Sequence, residues 1–221
     1  MIGDTFIMKN VIIIGSGAVA SEITSYLDDI HDVSIKGYLE YPYNLEKYYN
    51  VYNYKSPVIG TIDDYQPQDD DLFVIGVSHI GFRSKIIETM KAKGAKFYTL
   101  IHPTAIISKD AIIGEGCVIS PYCMVGPRAK VGEFNELTSY SFISHDCEVG
   151  NNNSFSTAGI CGRTKIGNNN IFYIRSTVQP DLVIGNNCVV QAGMVVDKDM
   201  PDGTTMFYRF KEKVMAIPKQ D

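Results

Sequence analysis

The sequence predicts a small parallel α/β sheet of Rossmann type over residues 1–100, a parallel β-helix over 101–200 and a capping tail over 201–221. Three observations carry this reading. An apolar residue returns at every sixth position from Ile101 onward, almost to Met200. The first hundred residues instead alternate short apolar runs with helix-like patterns. Pro201 and Gly203 then break the repeat ahead of a charged tail.

The first unit opens with NVIIIGSGAVASEITSYLDDI from Asn10, a buried-type strand, a turn at Gly15, Ser16 and Gly17, and an amphipathic helix. Val33 to Tyr41 reads as a second strand reaching Glu40, and Leu72 to Val77 as a third. His79 to Gly94 reads as a helix and Lys96 to Ile101 as a fourth strand running into the repeat. The stretch 42–57 is rich in Tyr and Asn and reads as a loop or hairpin insertion. The glycine turn puts backbone N–H groups and a helix N-terminus where a phosphate can be held, although a plain tight connection explains it equally well. The third glycine of a dinucleotide fingerprint is Ala20, and the sheet is too small for two mononucleotide halves. Glu40 stands where acidic residues accept ribose hydroxyls; its bland reading is a solvated carboxylate.

In the second unit the apolar series runs Ile101, Ile107, Ile113 and onward to Phe155 and Cys161. After one step of five it resumes at Ile166 and continues to Val196. Neither a helix of period 3.6 nor a strand of period 2 selects six, so the segment is a repeat architecture. A small residue follows four places after each apolar one, as at Ala105, Ala111, Cys117 and Cys123, and the second slot is often Gly, as at Gly114 and Gly126. Each hexad then makes one short strand and one corner, and three make a coil, so residues eighteen apart stack at roughly 4.7–4.9 Å. Cys117, Cys123, Cys147 and Cys188 fall in the small slot and Cys161 in the apolar slot. All five read as interior hydrophobes, not as a disulfide set or a metal cluster.

With 221 residues, 45% of them hydrophobic, the chain can fill one large core or two modest ones. A net charge of -5 leaves no footprint for nucleic acid or an anionic membrane. No apolar run reaches transmembrane length and 1–10 lacks the features of a signal peptide, so a cytoplasmic protein is expected.

Together, the glycine-turn unit and the hexapeptide repeat resemble, over nearly the whole chain, the left-handed β-helix acyltransferases that modify nucleotide-linked amino sugars. That group contains the bacillosamine-pathway and perosamine N-acetyltransferases and the sialic acid O-acetyltransferases. The resemblance implies a left-handed coil, against the right-handed rule of ordinary crossovers. It also implies a homotrimer, with the nucleotide-sugar in the first unit and acyl-CoA on the β-helix. By position it implies that Gly15, Ser16, Gly17, Glu40, Gly76, Val77 and Ser78 line the nucleotide-sugar pocket. Ile174, Ala192 and Gly193, with Gly162, would line the acyl-CoA channel between subunits. Val19 stands where the family commonly has a histidine, and the terminal G-x-P-A-K-like motif is replaced by Ala216-Ile217-Pro218-Lys219. Arg209, Lys211 and Lys213 could approach CoA phosphates or keep the cap soluble.

His145 is the third residue of the hexad Ile143-Ser144-His145-Asp146-Cys147-Glu148, which puts it on a corner, pointing outward. A lone exposed histidine is more often inert than catalytic. Asp146 beside it can orient the ring, and eighteen residues on Ser144 and His145 are overlain by Gly162 and Arg163. The step of five from Cys161 to Ile166 tightens that corner. The resemblance implies the same roles: FISHDCEVG matches a histidine base followed by an acidic partner, and the glycine of CGRTKIG matches the N–H donor to the thioester carbonyl. A second family histidine, nine residues on, is absent at Asn153-Ser154-Phe155. The chemistry suits acyl transfer, because an attacking amine must shed a proton to a base while charge grows on the thioester oxygen. Cys147 occupies an inward slot and is a poor nucleophile. Arg163 is left as solvated, or pairing Asp146 or a phosphate, and of the other histidines only His79 stands near the expected pocket. The expectation is transfer of an acyl group, acetyl first, from acetyl-CoA to a nucleotide-linked amino sugar, without a metal. O-acylation of a sugar hydroxyl and a non-catalytic trimeric scaffold are the alternatives. A carbonic anhydrase would need three histidines on zinc where the repeats hold one.

Overall fold

The computed structural model describes residues 8–208. The readings placed on 1–7, on Arg209, Lys211 and Lys213 and on 216–219 lie outside these residues.

The first unit is a five-stranded parallel sheet of β1 (Lys9–Ile14), β2 (Val33–Leu39), β3 (Val58–Gly60), β4 (Asp71–Ile75) and β5 (Lys96–Phe97), in the order β3-β2-β1-β4-β5. Helix α1 (Ala18–Asp28) follows β1, and α3 (Ile80–Ala92) follows β4. Val11 to Ile14 are fully buried because β1 is central and covered on both faces, which is why it reads as an unbroken apolar run. Three expectations are corrected. There are five strands, because Val58–Gly60 adds itself to the edge of β2. The run from Lys96 to Ile101 splits, since Lys96–Phe97 pairs with β4 whereas Leu100–Ile101 already belongs to the β-helix. The Tyr-rich stretch is neither a loop nor a hairpin but three short helical turns, Pro42–Asn44, Leu45–Tyr49 and α2 (Asn50–Tyr52). Packing decides this: the Tyr54 ring lies 4.3 Å from Tyr38 and 5.5 Å from Tyr49, and its hydroxyl donates to the Ser16 and Gly17 carbonyls. Burial pushes the Tyr38 hydroxyl up to about 12.

From Leu100 the chain winds into a left-handed β-helix of two-residue strands, stacked as three parallel sheets of six, five and seven strands. The seven-stranded face begins at Leu100–Ile101, the six-stranded face at Ile106–Ile107 and the five-stranded face at Ile112–Ile113. Most corners turn through a left-handed residue, often without glycine: Arg128 at φ 57°, Asp146 at 58°, Arg163 at 61°. The expected interior series is buried from Ile119 to Phe155, but the register slip sits elsewhere than expected. Phe142 pairs with Gly159 and Ile143 with Ile160, so the step of five runs from Phe155 to Ile160. Ile160 takes the interior slot at 0% exposure, and Cys161 is half-buried on the outside of the prism. The other four cysteines are buried, as their slot requires.

The seven-stranded face is covered by the first unit. Arg83 of α3 reaches Glu136 at 3.1 Å and donates to the Phe134 carbonyl; both side chains of the ion pair are buried. Phe97 meets Phe134 edge-on at 4.8 Å. The six-stranded face turns Ile106, Met124, Phe142, Gly159, Thr177 and Val195 outward without a single charge, whereas the five-stranded face carries Lys130, Glu148 and Lys165. No helix among the described residues is long and apolar enough to cross a membrane.

Candidate active site

Two groups of residues are assembled, one in each unit. The first lies at the carboxyl ends of β1 and β4, the point where the strand order reverses and where open α/β sheets bind ligands. A cleft of about 780 Å³ opens there, and Gly15, Ser16, Gly17, Glu40, Gly76, Val77 and Ser78 all line it. Gly15 has φ 93°, a conformation a side chain would strain, and a Cβ there would also meet Val77 at 2.9 Å. A Cβ on Gly76 would sit 2.7 Å from that of Ala20, so the close helix-to-strand approach is made by the pair together. Gly17 caps α1 with no side chain, leaving the first-turn N–H groups directed at the cleft.

Glu40 is not a solvated carboxylate. It is 6% exposed, and it accepts from the Ser16 hydroxyl at 2.7 Å, the Tyr41 N–H at 2.8 Å and the Asn44 side-chain amide at 2.9 Å. Its geometry therefore fixes the glycine turn. Val19 lines the cleft, as does His79, whose Nδ1 accepts the Phe82 N–H at 3.4 Å and caps α3. Tyr41, Tyr43, Asp63 and Lys85 also line it and were missed from sequence; the only signal was the clustering of tyrosines. Tyr41 and Tyr43 are stacked, and burial followed by the bond to Asp63 pushes the Tyr41 hydroxyl up to about 12.

The second group lies at the corner between the six- and five-stranded faces. His145 points outward with its side chain 45% exposed, and its Nδ1 is 2.7 Å from Asp146. A carboxylate can only accept, so Nδ1 carries the hydrogen, and in the neutral ring Nε2 keeps a lone pair. The coil above is offset by seventeen residues, not eighteen, because the slip lies between them. Gly162 thus stacks over His145 and Arg163 over Asp146, each one position from the expected pairing. A Cβ on Gly162 would stand 2.6 Å from both Cε1 and Nε2 of His145, so only glycine leaves the ring its place. The Gly162 carbonyl accepts from Asp181, while its N–H donates to no group among the described residues. The same column carries Pro127 below and Pro180 above, neither with an N–H to offer.

Arg163 gives its guanidinium to Asp181 at 2.6 and 2.7 Å and not to Asp146. Asp146 is instead held by Arg128, from Nε at 2.6 Å and Nη2 at 2.9 Å. Arg128 first, and His145 second, keep the Asp146 carboxyl well below the usual carboxylate range. Cys147 lies inside, and burial raises its thiol, which fits an inert hydrophobe. Ile174, Ala192 and Gly193 come together at a different corner, between the seven- and six-stranded faces, where the Gly193 N–H donates to the Ile174 carbonyl at 2.9 Å. They and His145 flank opposite edges of the apolar face, and His145 does not line the cleft of its own chain. His102 is buried between Thr104 and Asp29, a structural role, and His31 is exposed. No group of three or more candidate metal ligands occurs among the described residues.

No family model matches the chain. Among solved structures, it is similar to the acetyltransferase domain of PglB from Neisseria gonorrhoeae FA1090 in complex with acetyl coenzyme A, at 23% identity and a TM-score of 0.76, over 90% of this chain and 95% of that one. PerB from Caulobacter crescentus, in complex with CoA and GDP-perosamine, matches at 20% identity and a TM-score of 0.79, covering 93% and 94%. WeeI from Acinetobacter baumannii AYE matches at 19% and 0.57, covering 88% and 94%. The chain therefore has the fold shared by these proteins, an N-terminal parallel α/β sheet followed by a left-handed β-helix.

Proposed function

We propose that this protein is an acyl-CoA-dependent sugar N-acyltransferase that moves an acetyl group from acetyl-CoA to the amino group of a nucleotide-linked amino sugar in surface glycan synthesis. The observation that carries the reading is an imidazole oriented by Asp146 and stacked against Gly162, whose N–H donates to no group among the described residues. His145 acts as general base on the attacking amine, Asp146 holds its tautomer, and Gly162 donates to the oxyanion as the tetrahedral centre forms. Collapse of that centre expels CoA thiolate, so neither a covalent enzyme intermediate nor a metal takes part. The cleft of residues 1–100, with Gly15, Ser16, Gly17, Gly76, Val77 and Ser78 around two helix N-termini, takes the nucleotide diphosphate of the sugar; Glu40 supports the turn. The β-helix, 101–200, takes acyl-CoA, with Ile174, Ala192 and Gly193 along its pantetheine arm.

A homotrimer completes the site. The six-stranded face is uncharged and apolar, and it is bounded on one edge by His145 and Gly162 and on the other by Ile174, Ala192 and Gly193. Burying that face between copies brings one copy's His145 corner towards a neighbour's other corner and cleft, which a single chain does not do. Acetyl-CoA and nucleotide sugars are cytoplasmic metabolites, and the protein works there. That two of the similar structures carry acetyl-CoA, or CoA with GDP-perosamine, supports the choice of substrates.

The test is release of CoA thiol from acetyl-CoA with UDP-, dTDP- and GDP-linked 3- and 4-amino sugars, followed by mass analysis and hydroxylamine treatment of the product. An amide resists hydroxylamine and an ester does not. Turnover with at least one amino sugar is expected, and His145→Ala should lower kcat by about 10²–10⁴ while the protein stays folded and trimeric. No thiol release with any sugar, or a variant as active as the wild type, refutes the assignment.

A further inference from the structure

We propose that Arg128 is a positioning residue for the His145–Asp146 pair, its guanidinium fork holding the carboxylate against Nδ1 and offsetting its charge, so that Nε2 stays available to take a proton at lower pH. The proposal deepens the acyl-transfer reading and rests on it for its kinetic consequence, though not for its electrostatic one.

The geometry is a three-membered chain on two coils. Arg128 and Asp146 occupy the same left-handed corner slot one coil apart, which aims both side chains along the outside of the prism. The fork makes two bonds to the two carboxylate oxygens, Nε to Oδ1 and Nη2 to Oδ2, and Oδ2 is the atom that also accepts from His145 Nδ1. With both oxygens fixed, the carboxylate plane cannot turn away from the ring. The Asp146 N–H is tied in addition to the Pro127 carbonyl at 2.9 Å, beside Arg128 in the chain.

The charged and titratable groups around the ring are few. Asp146 is on its own corner, Arg128 comes from the coil below with Asp110 acting on it in turn, and Arg163 and Asp181 come from the coils above. The Cys147 thiol lies inside the same corner and donates to the His145 and Cys161 carbonyls. Arg163 is committed to Asp181 through a fork of its own, so these two largely cancel. Arg128 is therefore the cation that balances Asp146. A carboxylate with no such partner favours the imidazolium, and an imidazolium cannot act as a base. A fully free carboxylate would thus orient the ring and at the same time hold it protonated. The arginine separates the two effects.

Arg128→Gln removes fork and charge, and Arg128→Lys keeps charge without the fork. The His145 ring resonance, assigned by its loss in His145→Gln, is titrated by NMR in the free protein, and kcat/KM against pH is measured with the sugar that turns over. In Arg128→Gln the titration midpoint and the acid limb should both move up by roughly half to one pH unit, so that activity near pH 6 falls by about 3–10-fold while the alkaline plateau changes far less. Arg128→Lys should restore the midpoint but not the full plateau rate. An unchanged midpoint in Arg128→Gln, with only a lower melting temperature, would make the arginine a mere rung of the stack and overturn the proposal. The NMR arm needs no substrate. A shifted midpoint in a protein that transfers no acyl group supports the coupling and refutes the proposed reaction instead.

Discussion

Gly162 shows how little freedom a single corner has. Adding one methyl there would bring it 2.6 Å from the imidazole, and the neighbour at risk is the end of a half-exposed ring, not backbone. The cheap response is rotation of His145 away from its Asp146 bond, so Gly162→Ala should leave the melting temperature nearly unchanged. It should lower kcat by about 10²–10³ through the misplaced base and the displaced N–H donor. A loss of stability with intact kcat would instead place the glycine in the scaffold alone. This pairing was nearly legible in sequence. The repeat marks both corners, but periodicity alone assigns Gly162 to Ser144. Either Ile160 or Cys161 satisfies an apolar slot, and only the pairing of Ile143 with Ile160 decides between them. Arg128 was legible too, eighteen residues before Asp146, once the stacking rule is applied to corner slots as it was to interior ones. The contacts of Tyr41, Tyr43 and Asp63 had no such rule behind them, since they depend on how an irregular segment folds back over a sheet.

At the scale of elements, the entry to β4 carries a polar junction that its apolar run conceals. Asp71 has a fully buried side chain and accepts from the Lys36 ammonium at 2.6 Å, the Gln68 N–H at 2.8 Å and the Tyr65 hydroxyl at 2.9 Å. Burial alone would raise its carboxyl; these three donors outweigh it and hold the carboxyl below its ordinary 3.8. A group whose folded value is depressed contributes stability that is fully present above the unfolded value. That stability is lost as pH falls through the folded one. Thermal unfolding followed from pH 7 to pH 3 should therefore show Asp71→Asn less stable at neutral pH by about 1–3 kcal/mol. The difference from wild type should narrow below about pH 4. A gap that stays constant with pH would mean that Asp71 stabilises by shape and not by charge. The helical turns of 42–52 obey a similar logic, because tertiary contacts and not local propensity choose their conformation. The bond from Tyr54 to the carbonyls of Ser16 and Gly17 ties that choice to the glycine turn of the cleft.

For the whole molecule, the question is what holds the cleft in a fixed position relative to the β-helix. The two units meet through Arg83 and Glu136, with Ser84 accepting from Asn152 at 2.9 Å and an exposed pair between Lys91 and Glu133 at 2.6 Å. The exposed pair adds little, being in water. The buried pair is different in kind. Burial lowers the basicity of Arg83 and pushes the Glu136 carboxyl up, and each group tolerates its site only because the other is present. Arg83→Met strands a carboxylate beneath α3 and should destabilise the docked form by about 3–5 kcal/mol. Lowering the pH should relieve part of that loss, because a stranded carboxyl escapes by taking a proton. Adding Glu136→Leu removes the charge as well, and the double variant should recover most of the stability, since an apolar pair can fill the same interface at little net cost. The functional consequence separates the two variants further. A site shared between a cleft and a neighbouring copy's corner needs the units in register, so Arg83→Met should raise KM for the nucleotide-sugar while leaving that for acetyl-CoA, bound on the β-helix, almost unchanged. Differential scanning calorimetry and the two KM values together decide the matter. If Arg83→Met melts like the wild type and both KM values stay put, the ion pair is not what locks the cleft to the helix.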